Sequence, residues 1–130
     1  MTASTARHTV LLAEDHADTR MFYAELFRSS SFDVLETGRG DDALALAREN
    51  LPNLIVTDLS LPGITGLELA KALKGDASTM GIPILCLSGY TDIETSDAAA
   101  ASGIDRFVTK PCMPDDLLAH VHDMLKIARV

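Results

Sequence analysis

The sequence is constrained most by an alternation of short apolar runs with longer amphipathic stretches, which continues along nearly the whole chain. Several runs are continuously apolar, and this favours strands that are buried on both faces of a parallel sheet. The runs cover residues 9–13, 32–35, 54–57, 82–87 and 107–109. Five such strands separated by helices predict a doubly wound α/β fold with a five-stranded parallel sheet.

The amphipathic stretches predict five helices, and several of their ends carry local signals. The predicted helices cover residues 18–28, 41–49, 66–74, 92–101 and 114–128. Thr65 and Glu68 form a capping-box pattern at the start of the third helix. Gly75 and Gly103 stand where left-handed C-terminal caps are expected, and Pro114 suits the first turn of the last helix.

The composition argues against several classes of function. The net charge is −8, with 19 acidic and 11 basic residues, so the surface should repel nucleic acids and anionic membranes. No apolar run approaches the roughly 20 residues of a membrane span, and the polar residues 1–8 form a short tail rather than a signal peptide. Residues 9–130 should then form one domain. Cys86 and Cys112 fit no metal spacing or disulfide framework, which favours reduced thiols and a cytoplasmic location.

Acidic residues follow two of the predicted strands. Glu14 and Asp15 come after the first strand, and Asp58 comes after the third. In open α/β sheets, ligands bind beyond the carboxyl ends of the strands, so these side chains are expected in one pocket. Carboxylates a few ångströms apart in a poorly solvated site cannot all remain ionised without a counter-ion. Oxygen ligands of this kind predict a Mg²⁺ site.

Two further side chains follow the remaining strands of this predicted edge. Lys110 comes after the fifth strand and supplies a mobile positive charge suited to a phosphoryl oxygen. Ser88 comes after the fourth strand and supplies a hydroxyl donor. With Asp58 as a carboxylate nucleophile, these groups are the parts needed to stabilise a phosphoryl group during its transfer.

These residues, taken in order, resemble the receiver domains of response regulators. The likeness covers about residues 9–128 and rests on four elements at four successive strand ends. The elements are Glu14-Asp15, then Asp58 with Leu61-Pro62-Gly63-Ile64-Thr65-Gly66, then Ser88-Gly89, then Phe107-Val108-Thr109-Lys110-Pro111. The resemblance implies a flavodoxin-like (β/α)5 fold with strand order 2-1-3-4-5. It also implies a phosphorylation-dependent switch in a two-component system or phosphorelay.

The resemblance assigns roles to individual residues. Asp58 would accept the phosphoryl group from a sensor histidine kinase or a histidine phosphotransfer protein. Asp15 and Asp58 would bind Mg²⁺ through their side chains, Glu14 through a water molecule, and Ser60 through its backbone carbonyl. Lys110 would contact the phosphoryl group.

The resemblance also implies how phosphorylation is read out. Ser88 would move toward the phosphoryl group while Phe107, which stands where Tyr is common, would rotate inward. The surface formed by the fourth helix, fifth strand and fifth helix would then control a downstream protein target, with the domain a monomer or a phosphorylation-dependent dimer. The Lys110–Pro111 bond is expected to be cis.

Three other functions are less consistent with these residues. A docking domain that works without phosphorylation would keep the fold but have no need of the acidic cluster. A haloacid-dehalogenase-type phosphatase requires a second acid two residues after its nucleophile, where this chain has Ser60. A flavodoxin-like carrier would bind phosphate in its first loop, where Glu14 and Asp15 would repel it. We therefore expect no enzyme with a separate substrate.

Overall fold

The computed structural model describes residues 7–89 and 103–126. Its strands and helices, in chain order, are β1 (Thr9–Ala13), α1 (Ala17–Ser29), β2 (Asp33–Thr37), α2 (Gly40–Asn50), β3 (Leu54–Asp58), α3 (Gly66–Lys74), β4 (Ile84–Ser88), β5 (Arg106–Thr109) and α4 (Pro114–Leu125). The fourth predicted helix, residues 92–101, lies outside the described residues, so α4 corresponds to the fifth predicted helix.

The five strands form one parallel sheet in the order β2-β1-β3-β4-β5, which confirms the expected topology. Ala13 pairs with Thr57, Asp58 pairs with Leu87, and Ser88 pairs with Thr109. This register places the carboxyl ends of β1, β3, β4 and β5 in one row along the same edge. The residues that follow these strands are therefore neighbours in space.

Helices cover both faces of the sheet, and each face has its own apolar core. Alternate residues of a strand point to opposite faces, so Ile55 joins the core beneath α2 and α3 while Val56 joins the core beneath α1 and α4. All five residues of β3 and all five of β4 are buried. Burial on both faces explains why these runs are apolar throughout rather than alternating.

One of the helix caps predicted from the sequence is present in the structure, and another is not. The capping box of α3 is present: Glu68 N donates to Thr65 Oγ1 at 3.1 Å, and Thr65 N donates to Glu68 Oε1 at 2.9 Å. The left-handed cap expected at Gly75 is wrong, because this residue has φ −85°. The chain continues there into a turn in which Thr79 Oγ1 donates to Leu73 O at 2.7 Å, and this contact satisfies an end carbonyl of α3 by another route.

Some predicted boundaries move by a few residues. Strand β4 begins at Ile84 rather than at residue 82, because Pro83 has no N–H and Ile84 N donates to Asp105 Oδ2 at 2.8 Å. Helix α4 ends at Leu125, followed by Lys126 in the left-handed conformation. The Lys110–Pro111 bond is cis, as expected. No helix among residues 7–89 and 103–126 is long and apolar enough to cross a membrane.

Candidate functional site

The row of strand ends brings the expected polar residues together. Glu14 directly follows β1, Asp58 ends β3, and Ser88 ends β4. Although polar, these three residues are only 1%, 8% and 7% exposed. Lys110, which directly follows β5, is half-buried beside them. Burial of so many polar groups in one place requires that each of them finds partners within the protein.

Lys110 binds the two buried carboxylates at once. Its Nζ donates to Glu14 Oε1 at 3.0 Å and to Asp58 Oδ2 at 3.1 Å. The three residues come from the ends of β1, β3 and β5, so this contact ties together strands that are far apart in sequence. The positive charge offsets part of the repulsion between the carboxylates.

Glu14 is anchored from several sides. Its second oxygen, Oε2, accepts from His16 N at 3.1 Å and lies 3.2 Å from His16 Nδ1. Its backbone N donates to Thr37 O at 3.0 Å, and its backbone O accepts from Arg20 Nη1 at 2.8 Å. Glu14 therefore has a fixed position, with Lys110 on one oxygen and His16 on the other.

Asp58 is held through one side-chain oxygen and through its carbonyl. Its Oδ1 accepts from Leu59 N at 2.8 Å, while Thr57 Oγ1 donates to its backbone O at 2.9 Å. Gly66 packs so closely that a Cβ there would lie 2.4 Å from Asp58 O. A side chain at position 66 would thus push on the backbone of Asp58. The oxygen left for chemistry is Oδ2, which contacts Lys110.

The electrostatics of the two carboxylates differ because their contacts differ. Burial raises the pKa of Asp58, and the nearby Glu14 raises it further, although Lys110 opposes both effects. Burial also acts to raise the pKa of Glu14, but hydrogen bonds from His16 and Lys110 outweigh it, and the pKa is lowered. Burial disfavours the charged form of Lys110, yet its bonds to Glu14 and Asp58 raise its pKa overall. The negative charge of the pocket is thus only partly compensated.

The donor set suits a divalent cation. Glu14, Asp15, His16 and Asp58 each offer one ligand atom, and these atoms all lie within 4.8 Å of one another. Three of the donors are carboxylates, which Mg²⁺ prefers, and the raised pKa of Asp58 shows that further positive charge would be favourable there. Ser60 is exposed just beyond β3. The role of its carbonyl stays a prediction.

The two expected switch residues lie on neighbouring strands. Ser88 is buried at the end of β4, and its backbone O accepts from Lys110 N. Phe107 in β5 pairs with Cys86 and is half-buried against the core beneath α2 and α3. Burial raises the pKa of Cys86 to about 12, so this thiol is protonated at neutral pH. Movement of Ser88 and Phe107 stays a prediction, and the predicted fourth helix lies outside the described residues.

Sequence reasoning missed three contributors to the site. His16 contacts Glu14 through both its backbone and its ring. Arg20 binds the backbone of Glu14, and Gly66 gives Asp58 its space. A usable signal for His16 was its position, because it directly follows Glu14 and Asp15 after the first predicted strand.

Comparison with known proteins gives consistent matches. A family model described as the response regulator receiver domain matches residues 10–122. The DNA-binding response regulator MtrA of Mycobacterium tuberculosis is 33% identical over 122 residues, which are 94% of this chain and 52% of MtrA. Histidine kinase P4 of Formosa agariphila is 31% identical over 120 residues, which are 92% of this chain and 9% of that kinase. This chain therefore spans about half the length of MtrA and a small part of the kinase.

A solved structure gives the same result at the level of the fold. The chemotaxis protein CheY4 of Vibrio cholerae superimposes with a TM-score of 0.86 at 26% identity. The match covers 92% of this chain and 99% of CheY4.

Proposed function

This chain belongs to the response-regulator receiver family, and on that premise we propose that Asp58 accepts a phosphoryl group and thereby switches the domain between two states. The observation that carries the proposal is the contact of Lys110 Nζ with both Glu14 and Asp58. It supports a site in which a nucleophile, an acidic partner and a mobile cation share one buried pocket. The phosphoryl donor is proposed to be a phosphohistidine on a sensor kinase or a phosphotransfer protein.

The geometry of Asp58 favours Oδ2 as the attacking atom. Oδ1 is engaged by Leu59 N, whereas Oδ2 faces the Lys110 ammonium. In the proposed step, a bond forms between Oδ2 and phosphorus while the bond between phosphorus and the donor imidazole nitrogen breaks, and the leaving nitrogen keeps the electron pair. Lys110 can follow the charge as it moves from the carboxylate to the phosphoryl oxygens, because its side chain is flexible.

The acidic residues would hold a Mg²⁺ ion beside Asp58. Asp15 and Asp58 are proposed to bind it through their side chains, Glu14 through water and Ser60 through its carbonyl. When bound, the ion supplies positive charge that stabilises the phosphoryl oxygens during transfer. Burial of Glu14 and Asp58 restricts access of bulk water to the acceptor.

The readout is proposed to begin at Ser88 and Lys110. Phosphorylation adds about −1.5 to −2 of charge and new acceptor oxygens at Asp58. Because Lys110 N donates to Ser88 O, movement of either residue affects the ends of both β4 and β5. Phe107, three residues before Lys110, would respond by repacking. The domain would then control a downstream protein, and Asp58 would be modified without turnover of a separate substrate.

The proposal can be tested by phosphorylation with a small-molecule phosphodonor and Mg²⁺. Intact-mass analysis of the wild type should show one added phosphoryl group, and Asp58→Asn should show none. Asp33→Asn is a matched control, since Asp33 is an exposed aspartate at the opposite end of the sheet. It should be labelled as the wild type is. Equal labelling of the wild type and Asp58→Asn would exclude Asp58 as the acceptor.

The role of Mg²⁺ is tested in the same assay. Removal of divalent cations with a chelator should abolish labelling, and Asp15→Asn should need more Mg²⁺ to reach half of the wild-type rate. Labelling that is independent of Mg²⁺ would contradict a metal-assisted site. An unlabelled wild type under all conditions would favour a docking domain that works without phosphorylation.

A further inference from the structure

His16 adds a nitrogen ligand to the carboxylate oxygen ligands of the acidic pocket. Its Nδ1 lies 3.2 Å from Glu14 Oε2 and 3.4 Å from Asp15 Oδ1. A nitrogen of its ring belongs to the group of four ligand atoms that all lie within 4.8 Å of one another. Distances of this size are typical of atoms that share one metal ion, so the imidazole and the two carboxylates are close enough to coordinate the same ion.

The backbone of His16 is fixed while its ring is not. His16 N donates to Glu14 Oε2 at 3.1 Å, and His16 O accepts from Arg20 N at 2.8 Å. The side chain is 74% exposed, and as the N-terminal cap of α1 it makes no side-chain capping bond. The ring can therefore rotate toward an ion without breaking contacts that hold the fold.

Lys110 does not compete for the same side of Glu14. It binds Oε1, whereas His16 faces Oε2. Asp15, whose side chain is 37% exposed, lies on the His16 side. An ion held by Asp15 and the His16 ring, on the Oε2 side of Glu14, can thus enter from solvent while Lys110 keeps its contact with Asp58.

We propose that His16 is a direct ligand for borderline divalent cations such as Ni²⁺, so that the pocket binds these ions more tightly than Mg²⁺. The inference rests on the proposed function, because it takes the acidic pocket as the metal site. Imidazole nitrogen is a good ligand for Ni²⁺, and affinity rises along the first-row series toward Ni²⁺ and Cu²⁺. Mg²⁺ prefers oxygen ligands and keeps its waters, so it gains little from His16. The side chain of His16 therefore sets which cations compete for the receiver site.

The test is calorimetric titration of the untagged protein with Ni²⁺ and with Mg²⁺, at slightly alkaline pH, for four variants. The wild type should bind Ni²⁺ at least about tenfold more tightly than Mg²⁺. His16→Ala and His16→Phe should each lose about tenfold or more in Ni²⁺ affinity and less than about threefold in Mg²⁺ affinity. Asp15→Asn should weaken the binding of both ions. His8→Ala should change neither, because His8 precedes β1 at the end of the strand opposite to the acidic pocket.

A second readout does not depend on affinity. Mn²⁺ is paramagnetic, so it should broaden the NMR signals of the His16 ring in the wild type, and excess Mg²⁺ should restore them. Equal Ni²⁺ affinity in the wild type and both His16 variants, or unbroadened His16 ring signals, would overturn the proposal while Mg²⁺ binding remains intact. If neither ion binds the wild type, the proposed metal-dependent function fails as well.

Discussion

Lys110 is the residue on which the charge balance of the site depends. It contacts one oxygen of each buried carboxylate, and its own side chain is 22% exposed. Glu14 has further hydrogen bonds from His16, so its charge is well supported, and its pKa is lowered. Asp58 is buried with fewer such bonds, so its pKa is raised. The charge of the nucleophile is therefore less well stabilised than that of Glu14 when no metal ion is bound.

Replacing Asp58 by Asn should stabilise the metal-free protein. The pKa of Asp58 is raised in the folded state, so its ionised form disfavours folding at neutral pH. Asn has nearly the shape of the carboxyl group and, like the protonated carboxyl, carries no charge. We expect Asp58→Asn to raise the midpoint of thermal unfolding by roughly a few degrees in a chelating buffer.

The pH dependence gives the check on that expectation. As pH falls through the raised pKa of Asp58, the wild-type carboxyl gains a proton, so the advantage of Asp58→Asn should shrink. Asp33→Asn provides the comparison, because this aspartate is exposed. If the midpoints of thermal unfolding of the wild type and Asp58→Asn differ by the same amount at neutral and acidic pH, the buried charge of Asp58 is not the cause.

At the scale of elements, the start of α3 positions the acceptor. Thr65 and Glu68 close the capping box, and Gly66 then packs against the carbonyl of Asp58. Gly66 N also donates to Leu59 O at 2.8 Å. The loop between β3 and α3 is thus fixed by β3 where it begins and by the cap of α3 where it ends.

Gly66→Ala should disturb the end of β3, where Asp58 lies. The added Cβ would lie 2.4 Å from the backbone oxygen of Asp58, and backbone cannot move aside as a flexible side chain can. We expect a loss of about 1–3 kcal/mol in the free energy of unfolding, measured in urea, together with slower phosphorylation of Asp58. Gly81→Ala is the matched control, since nothing lies within 4 Å of its added Cβ, and it should be neutral or slightly stabilising.

Thr65→Ala should weaken the cap of α3 without a steric clash. Its hydroxyl accepts from Glu68 N at 3.1 Å, and this bond would be lost. Removal of such a cap costs about 1 kcal/mol of stability. Thr65→Ser, which keeps the hydroxyl, should stay close to the wild type in the same urea titration. An equal loss for Ala and Ser would show that the hydroxyl has no capping role.

At the scale of the whole molecule, the parallel sheet turns a set of distant residues into one site. Glu14 and Lys110 are 96 positions apart in sequence, yet they make a 3.0 Å contact because β1 and β5 end at the same edge. Stability and ligand binding should therefore be linked, since any cation in this pocket acts on contacts between several strands.

Mg²⁺ should raise the stability of the protein, and more so when Lys110 is absent. A ligand at ten times its dissociation constant adds about 1.4 kcal/mol to the free energy of unfolding. Lys110→Ala removes a partner of two buried carboxylates. We expect the free energy of unfolding in chelating buffer to fall by about 2 kcal/mol, which is less than for a fully buried ion pair because Lys110 is partly exposed. Thermal unfolding at increasing Mg²⁺ should show the variant recovering part of this loss. Lys71 is an exposed lysine on α3, so Lys71→Ala should keep the stability of the wild type and respond to Mg²⁺ as the wild type does.

Most of the fold could be predicted from the sequence. The bounds of β1 and α3 match the predicted ranges, and the other described elements differ by a few residues at their ends. The start of β4 depends on Asp105, a partner distant in sequence, and the end of α3 depends on the turn that follows the helix. Local pattern cannot reveal such contacts, because a backbone N–H or C=O group pairs with whichever partner the tertiary structure brings to it.

The sequence by itself determined the layered architecture and the kinds of group at each strand end, because both follow from patterns that are local along the chain. Only the tertiary structure decided how those groups pair: Lys110 on one oxygen of Glu14, His16 on the other, and Gly66 against the carbonyl of Asp58. These contacts depend on strand register and on helix position, to within a fraction of an ångström. Hydrophobic pattern specifies which residues are buried, but packing fixes which atoms meet.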